Sequence, residues 1–187
     1  MKKYSVKAVR TFHGHDGYGW ECNLYNEQNK KVATVVEDGW GGELQFHWTD
    51  ADLPRIETDG VDWKDAPMKY KDTPAQSELR THCLTLPKWD CNGKMVHTSM
   101  DIYVTDDLVN EALELKELKK ALKKIVVLED GKIYTYNTPP SRVNVWTLRR
   151  RLEKKQRHAI FLNDMPLPEA LAIWKTVFRP LLLRDNA

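Results

Sequence analysis

The sequence predicts an α+β fold: an antiparallel N-terminal β-meander and a β-hairpin, followed by a helix-rich C-terminal part in the order α-β-β-α-β-α. Three observations lead there. Segments that alternate apolar and polar residues, rich in aromatic and β-branched side chains, dominate before Tyr103. Segments with an apolar stripe at helical spacing dominate after it. Asn92-Gly93 and Asp130-Gly131 each stand between two β-like runs, and a tight hairpin turn needs positive φ at both of its central positions.

In chain order, YSVKAVRTF, WECNLYN, KVATVVE and ELQFHWT read as short strands, with the polar connector NEQNKK turning the second into the third. From Thr49 to Ser77, prolines and glycines lie among closely spaced acids, and the segment reads as an irregular surface excursion. HCLTLPKWD and KMVHTSMDIYV form the arms of the Asn92-Gly93 hairpin, with Pro87 marking an edge strand or a bulge. TDDLVNEALELKELKKALKK opens the second part as a helix. Thr105 is its N-cap, Asp106 and Asp107 fill the first turn, and the lysines gather toward the end, as the helix dipole prefers. Leu108, Ala112, Leu115, Leu118, Leu122 and Ile125 make its apolar stripe.

IVVLED-GKIYTYN is a hairpin, SRVNVWTLRRRLEKKQR a second helix, HAIFL a strand, and PEALAIWKTVF a third helix started by Pro168. Leu167, Leu171, Trp174, Phe178 and Leu181 follow its core-facing spacing. The chain thus reads as a β-rich part, 1–104, with its irregular segment at 49–77, and a basic α/β part, 105–187. The two parts are either separate or one continuous domain.

A chain of 187 residues, 41% hydrophobic and 30% charged, is globular and can bury a substantial core. The net charge of +2 conceals a division. Residues 1–110 hold 18 acids and 13 bases, whereas residues 111–187 hold 9 acids and 16 bases. Such asymmetry marks either nucleic-acid or partner contact, or two solvated faces. MKKYSVKAVR has no apolar run of signal-peptide length, no stretch approaches membrane-spanning length, and three scattered cysteines do not make a disulfide framework. A cytoplasmic setting without membrane contact is expected.

HDGYGWE and EDGWGGE share D-G-aromatic-G-x-E, at Asp16 to Glu21 and at Asp38 to Glu43. In a meander, alternate loops share one end, so these two are expected side by side. Their glycines suit tight turns, and their acids would repel phosphate. Tyr18 and Trp40, flanked by Asp16, Glu21, Asp38 and Glu43, form an acidic aromatic edge suited to a basic partner. The alternative is that both rings fold back to cap the meander. A second candidate surface is the basic helix, where Arg149, Arg150, Arg151, Lys154, Lys155 and Arg157 stand against the single Glu153. Arginine forks suit phosphates, and an ordinary solvated helix face is the alternative.

Signals for catalysis are sparse. His13, His15 and Asp16, with His47 on a later strand, contain metal-ligand types, and water-exposed loop residues are the competing reading. Cys83 and Cys91 would stand about 26 Å apart along a two-residue hairpin, too far for one metal. Neither a G-x-S-x-G elbow nor a phosphate-binding glycine loop is present, and no cofactor is expected.

FHGHDGYGWECNLYNEQNKKVATVVEDGWGGELQFHW resembles the opening of small accessory proteins of tailed bacteriophages, which share an F-x-G-H-acid-G-x-G start and a later D-G-x-G-G. LEDGKIYTYN and the helix-strand-helix after it are similar to their C-terminal portions. The resemblance implies the cytoplasm of an infected bacterium, where such proteins bind and inhibit a host or antiviral-defence macromolecule. Three functions follow: a non-enzymatic inhibitor of this kind, a nucleic-acid or nucleotide binder using the helix at 148–158, and a metal-dependent enzyme around His13 and His15. Oligomeric state is not legible.

Overall fold

The structure is a computed structural model that describes residues 3–14, 17–62, 64–155 and 158–182, with side chains as far as Val177. The fold is α+β, as expected. It divides into two compact units, residues 1–112 and 113–187.

The first unit is built on the expected meander. β1 (Tyr4–His13), β2 (Tyr18–Asn26), β3 (Lys31–Glu37) and β4 (Gln45–Trp48) form an antiparallel sheet in sequence order. Alternation fixes its faces, because successive side chains point to opposite sides. Trp20, Cys22, Leu24, Ala33 and Val35 are buried, while Glu21 between them is exposed. β1 carries a bulge between Lys7 and Arg10, where Ala8 adopts φ 54° to absorb the extra residue.

Three elements between Ile56 and Thr85 differ from the reading of the sequence. The segment at 49–77 is not wholly irregular: β5 (Ile56–Val61) and β6 (Pro67–Asp72) pair as an antiparallel hairpin. HCLT is not a strand but the end of helix α1 (Pro74–Thr85). Thr73 caps it by accepting from the Gln76 N–H at 3.2 Å, and Pro74 stands in its first turn. The Asn92-Gly93 hairpin does form, with both residues at positive φ, but its arms are short: β7 (Trp89–Cys91) and β8 (Lys94–Val96).

The long helix also starts earlier than its acidic Thr105 signal suggests. Ser99 caps α2 (Met100–Ile102), which runs through a π-helical stretch, Tyr103–Val109, into α3 (Asn110–Ala121). Thr105 therefore lies inside the helix. Its carbonyl accepts from the Asn110 N–H, five residues on, and the wider turn buries Tyr103, Val104, Leu108 and Val109 on one side.

His82 of α1 packs against this stretch. Its ring stands 5.1 Å from that of Tyr103 and 5.5 Å from that of Tyr4, and burial, then Lys3, push its pKa below the usual histidine value. A depressed folded-state pKa means the unfolded chain binds the proton first. Stability from neutral His82 is complete above about pH 6.5 and lost as pH falls through the folded value. Urea unfolding from pH 7 to pH 5 is expected to lose stability more steeply in the wild type than in His82→Asn, by at most about 1.4 kcal/mol per pH unit. Parallel profiles would show that His82 is not the titrating group.

In the second unit, β9 (Ile125–Glu129) lies between β10 (Lys132–Tyr136) and β11 (Ala159–Phe161), antiparallel to both. The order after α3 is β9, β10, α4 (Arg142–Lys154), β11 and α5 (Leu167–Leu182), the expected alternation. β9 is apolar from Ile125 to Leu128 because both of its faces are covered, and the buried Glu129 ends it. Val126 joins Leu118 of α3 and Ala170 and Trp174 of α5, while Ile125 and Val127 join Leu152 of α4 on the other face. Ile125 thus belongs to the strand and not to the helical stripe. Leu167 and Leu171 pack on the first cluster. The side chains of Phe178 and Leu181 lie outside the described residues. Asn163 ties the layers together, accepting from the Val126 N–H at 2.7 Å and donating to the Leu122 carbonyl at 3.1 Å, which terminates α3.

Candidate functional site

The two repeated loops are in backbone contact. A Cβ placed on Gly14 would stand 2.6 Å from the Asp38 carbonyl, and one on Gly39 would stand 2.9 Å from the Gly14 Cα and 3.3 Å from the Gly17 carbonyl. Only glycines allow this approach. Gly39 also has φ +78°. The first loop closes with a Gly14 N–H to Gly17 carbonyl bond of 2.7 Å. Carboxylates brace the second: Glu37 accepts from the Gly39 N–H at 3.0 Å, Asp38 Oδ1 from the Trp40 N–H at 3.0 Å, and Asp38 Oδ2 from the Gln45 amide at 3.2 Å. Asp38 is therefore part of the scaffold that aims Trp40.

Neither ring folds back. Tyr18 is 71% exposed and Trp40 60% exposed. Tyr18 pairs across the strands with His13, their rings 4.4 Å apart, and Phe12 lies over Gly19 with its ring 40% exposed. Phe12 and His13 extend the aromatic edge in a way that the repeat alone did not reveal, although both precede it directly in F-H-G-H. Glu21 points outward from β2, opposite Arg10 in register, and so stands back from the loop ends. Glu43 is exposed just before β4. His15 and Asp16 lie outside the described residues.

The glycine contacts give a direct test of loop stiffness. Gly39→Ala is expected to lower stability by at least about 1 kcal/mol, through positive φ and a clash with backbone. Gly17→Ala, whose Cβ would meet nothing within 4 Å, should stay within about 0.5 kcal/mol of the wild type. Thermal unfolding of both variants checks the pair, and equal melting points would mean that the loops are not packed.

Of the metal candidates, His13 and His47 are described and stand apart. His13 ends β1 and His47 lies in β4, the two outer strands of the sheet. Three strand spacings separate them by roughly 14 Å across the sheet, and the register, His13 opposite Tyr18 and His47 opposite Thr34 and through it Asn23, sets them further apart along the strands. Among the described residues, no group of three His, Cys, Asp or Glu side chains gathers at metal-binding distance. Cys22 and Cys83 are buried, and burial pushes both thiols up to about 12.

The basic residues of α4 are partly committed. Arg149 pairs with Asp164 at 2.5 Å and lies over the Phe161 ring at 4.7 Å. Arg150 stacks 4.5 Å over Trp146, and Arg151, Lys154 and Lys155 are exposed. Arg157 lies outside the described residues. No family model, curated protein or solved structure matches the chain. Among the described residues, no helix is long and apolar enough to cross a membrane.

Proposed function

We propose that this protein is a non-enzymatic binding protein of the phage accessory type, which occupies a basic host or antiviral-defence protein in the cytoplasm of an infected bacterium. The observation that carries the reading is the exposure of Tyr18 and Trp40 on loops locked together through Gly14 and Gly39. Exposed rings on a stiff scaffold supply contact area at low entropic cost, and binding then loses little freedom in the loops. The excess of acids in residues 1–110 favours a basic partner. Capture from bacterial lysate, with and without nuclease, tests the reading. A nuclease-resistant protein partner retained by the wild type and lost by Tyr18→Ala/Trp40→Ala supports it, and retention by the variant overturns it.

A second reading rests on the exposed Arg151, Lys154 and Lys155 beside the Arg150–Trp146 stack, a combination suited to nucleic-acid backbone and base. Its mark would be loss of every captured component on nuclease treatment. Arg149 is the least suited of the basic set, because Asp164 already holds it.

A further inference from the structure

A cleft of about 750 Å³ opens within residues 1–112, a volume in the range of ligand pockets. Leu44, Phe46 and Trp48 of the β4 segment line one side, and the β7–β8 hairpin contributes Trp89. Alternation puts the three β4 residues on one half-buried face, and the Phe46 and Trp48 rings stack with centroids 5.3 Å apart and planes within 8°.

Most charges in the cleft already have partners. Arg80 is gripped by Asp72 through two hydrogen bonds of 2.7 and 3.0 Å, and lies 3.6 Å over Tyr70. Asp65 accepts from Lys88 at 2.6 Å and from the His97 N–H, and Asp62 accepts from the Lys64 and Ala66 N–H groups. Glu43 and Asp101 make no ion pair among the described residues. Both line this cleft, Glu43 next to Leu44, whose N–H favours the charged form of the Asp101 carboxylate. Burial raises the Asp101 pKa from its ordinary value and the charge of Glu43 adds to this, while the Leu44 N–H and the charge of Arg80, which Asp72 already holds, lower it in part.

We propose that this cleft receives an arginine side chain of the basic partner, its guanidinium lying against the Phe46–Trp48 stack and bridging Glu43 and Asp101. The inference rests on the binding reading above and adds the chemistry of what is bound. A planar, weakly hydrated guanidinium suits parallel ring faces, and its forked donors match carboxylates, whereas an ammonium is a compact, strongly hydrated point charge. Glu43 belongs to both features: it closes the repeat and lines the cleft.

The probe is the capped tripeptide acetyl-Gly-Arg-Gly-amide, titrated while the indole resonances of Trp48 and Trp89 are followed. Saturable shifts with a dissociation constant on the order of 1 mM are expected, with the lysine peptide several-fold weaker and the neutral citrulline peptide without effect. Glu43→Gln/Asp101→Asn should weaken the arginine peptide about 10-fold or more, and the exposed single variant Glu43→Gln carries the test if the double variant fails to fold. Absence of shifts up to about 20 mM, equal binding by the citrulline peptide, or shifts produced by adenosine monophosphate in its place would overturn the proposal. Tyr18→Ala/Trp40→Ala should bind the peptide as the wild type does. If that variant keeps the peptide and also keeps the captured partner, the loop edge falls and the cleft stands. If the peptide fails while the loop variant loses the partner, the reverse holds.

Discussion

Asp72→Ala is expected to destabilise the N-terminal unit by about 3–5 kcal/mol, because it leaves the Arg80 guanidinium inside the protein without its counter-charge. Asp72 ends β6 with its side chain 2% exposed, and Arg80 lies in α1 at 16%. The guanidinium is held by both carboxylate oxygens on one edge and by the Tyr70 ring on one face, while the Tyr70 hydroxyl donates to the Val61 carbonyl at 2.7 Å. One substitution therefore loosens β5, β6 and α1 together. A loss of this size approaches the whole stability of many domains, and amide exchange in β2 and β3 should accelerate toward the global limit. Asp72→Ala/Arg80→Met removes both charges and should recover much of the loss. If Asp72→Ala costs less than about 1 kcal/mol, the pair is not buried as described.

The meander and the α-β-β-α-β-α order were legible because alternation, a stripe and two turn dipeptides each act locally. Asn92-Gly93 and Asp130-Gly131 adopt positive φ as a type I′ turn requires. The errors arose where local signals competed. HCLTLPKWD contains β-formers, yet Thr73 and Pro74 start a helix that Leu79 and Cys83 bury, so capping and tertiary burial override propensity. The β5–β6 hairpin was hidden because its apolar Ile56 and Met68 are exposed among charged residues, and the residues it buries are Thr58, Gly60 and Asp72. Thr105 looked like a cap, but Ser99 caps the helix and the π-helical stretch runs through Thr105.

Of the candidate sites, the neighbouring loops could be read from the repeat because topology alone decides which meander loops share an end. The roles of their acids could not. The motif presents Asp38 as a surface charge, yet its carboxylate is spent on Trp40 and Gln45. The cleft was also invisible, since it unites β4, α1, α2 and the β7–β8 hairpin, and the sequence signals over the last three point to one long-armed hairpin in place of two helices and a short one. Leu44, Phe46 and Trp48 did alternate in ELQFHWT. That pattern shows a face with something opposite it, but not that the something is a cavity.

Tyr18→Ala/Trp40→Ala is expected to fold normally and to lose partner binding by at least about 100-fold. Both rings are mostly exposed, so their removal should shift stability by no more than about 1 kcal/mol. The backbone that aims them is held independently, by the Gly14–Gly39 approach and by Glu37 and Asp38. Binding responds differently, because aromatic anchors at the centre of an interface contribute about 2 kcal/mol or more each and act non-additively. The loss should fall on the dissociation rate, whereas charge changes at the exposed Glu43 should alter the association rate and its salt dependence. Surface resonance with the captured partner separates the two effects. A variant that unfolds would show that the rings support the sheet. A variant that folds and binds as the wild type does would leave the repeated D-G-aromatic-G as a pair of turns whose glycines pack and whose rings touch no partner.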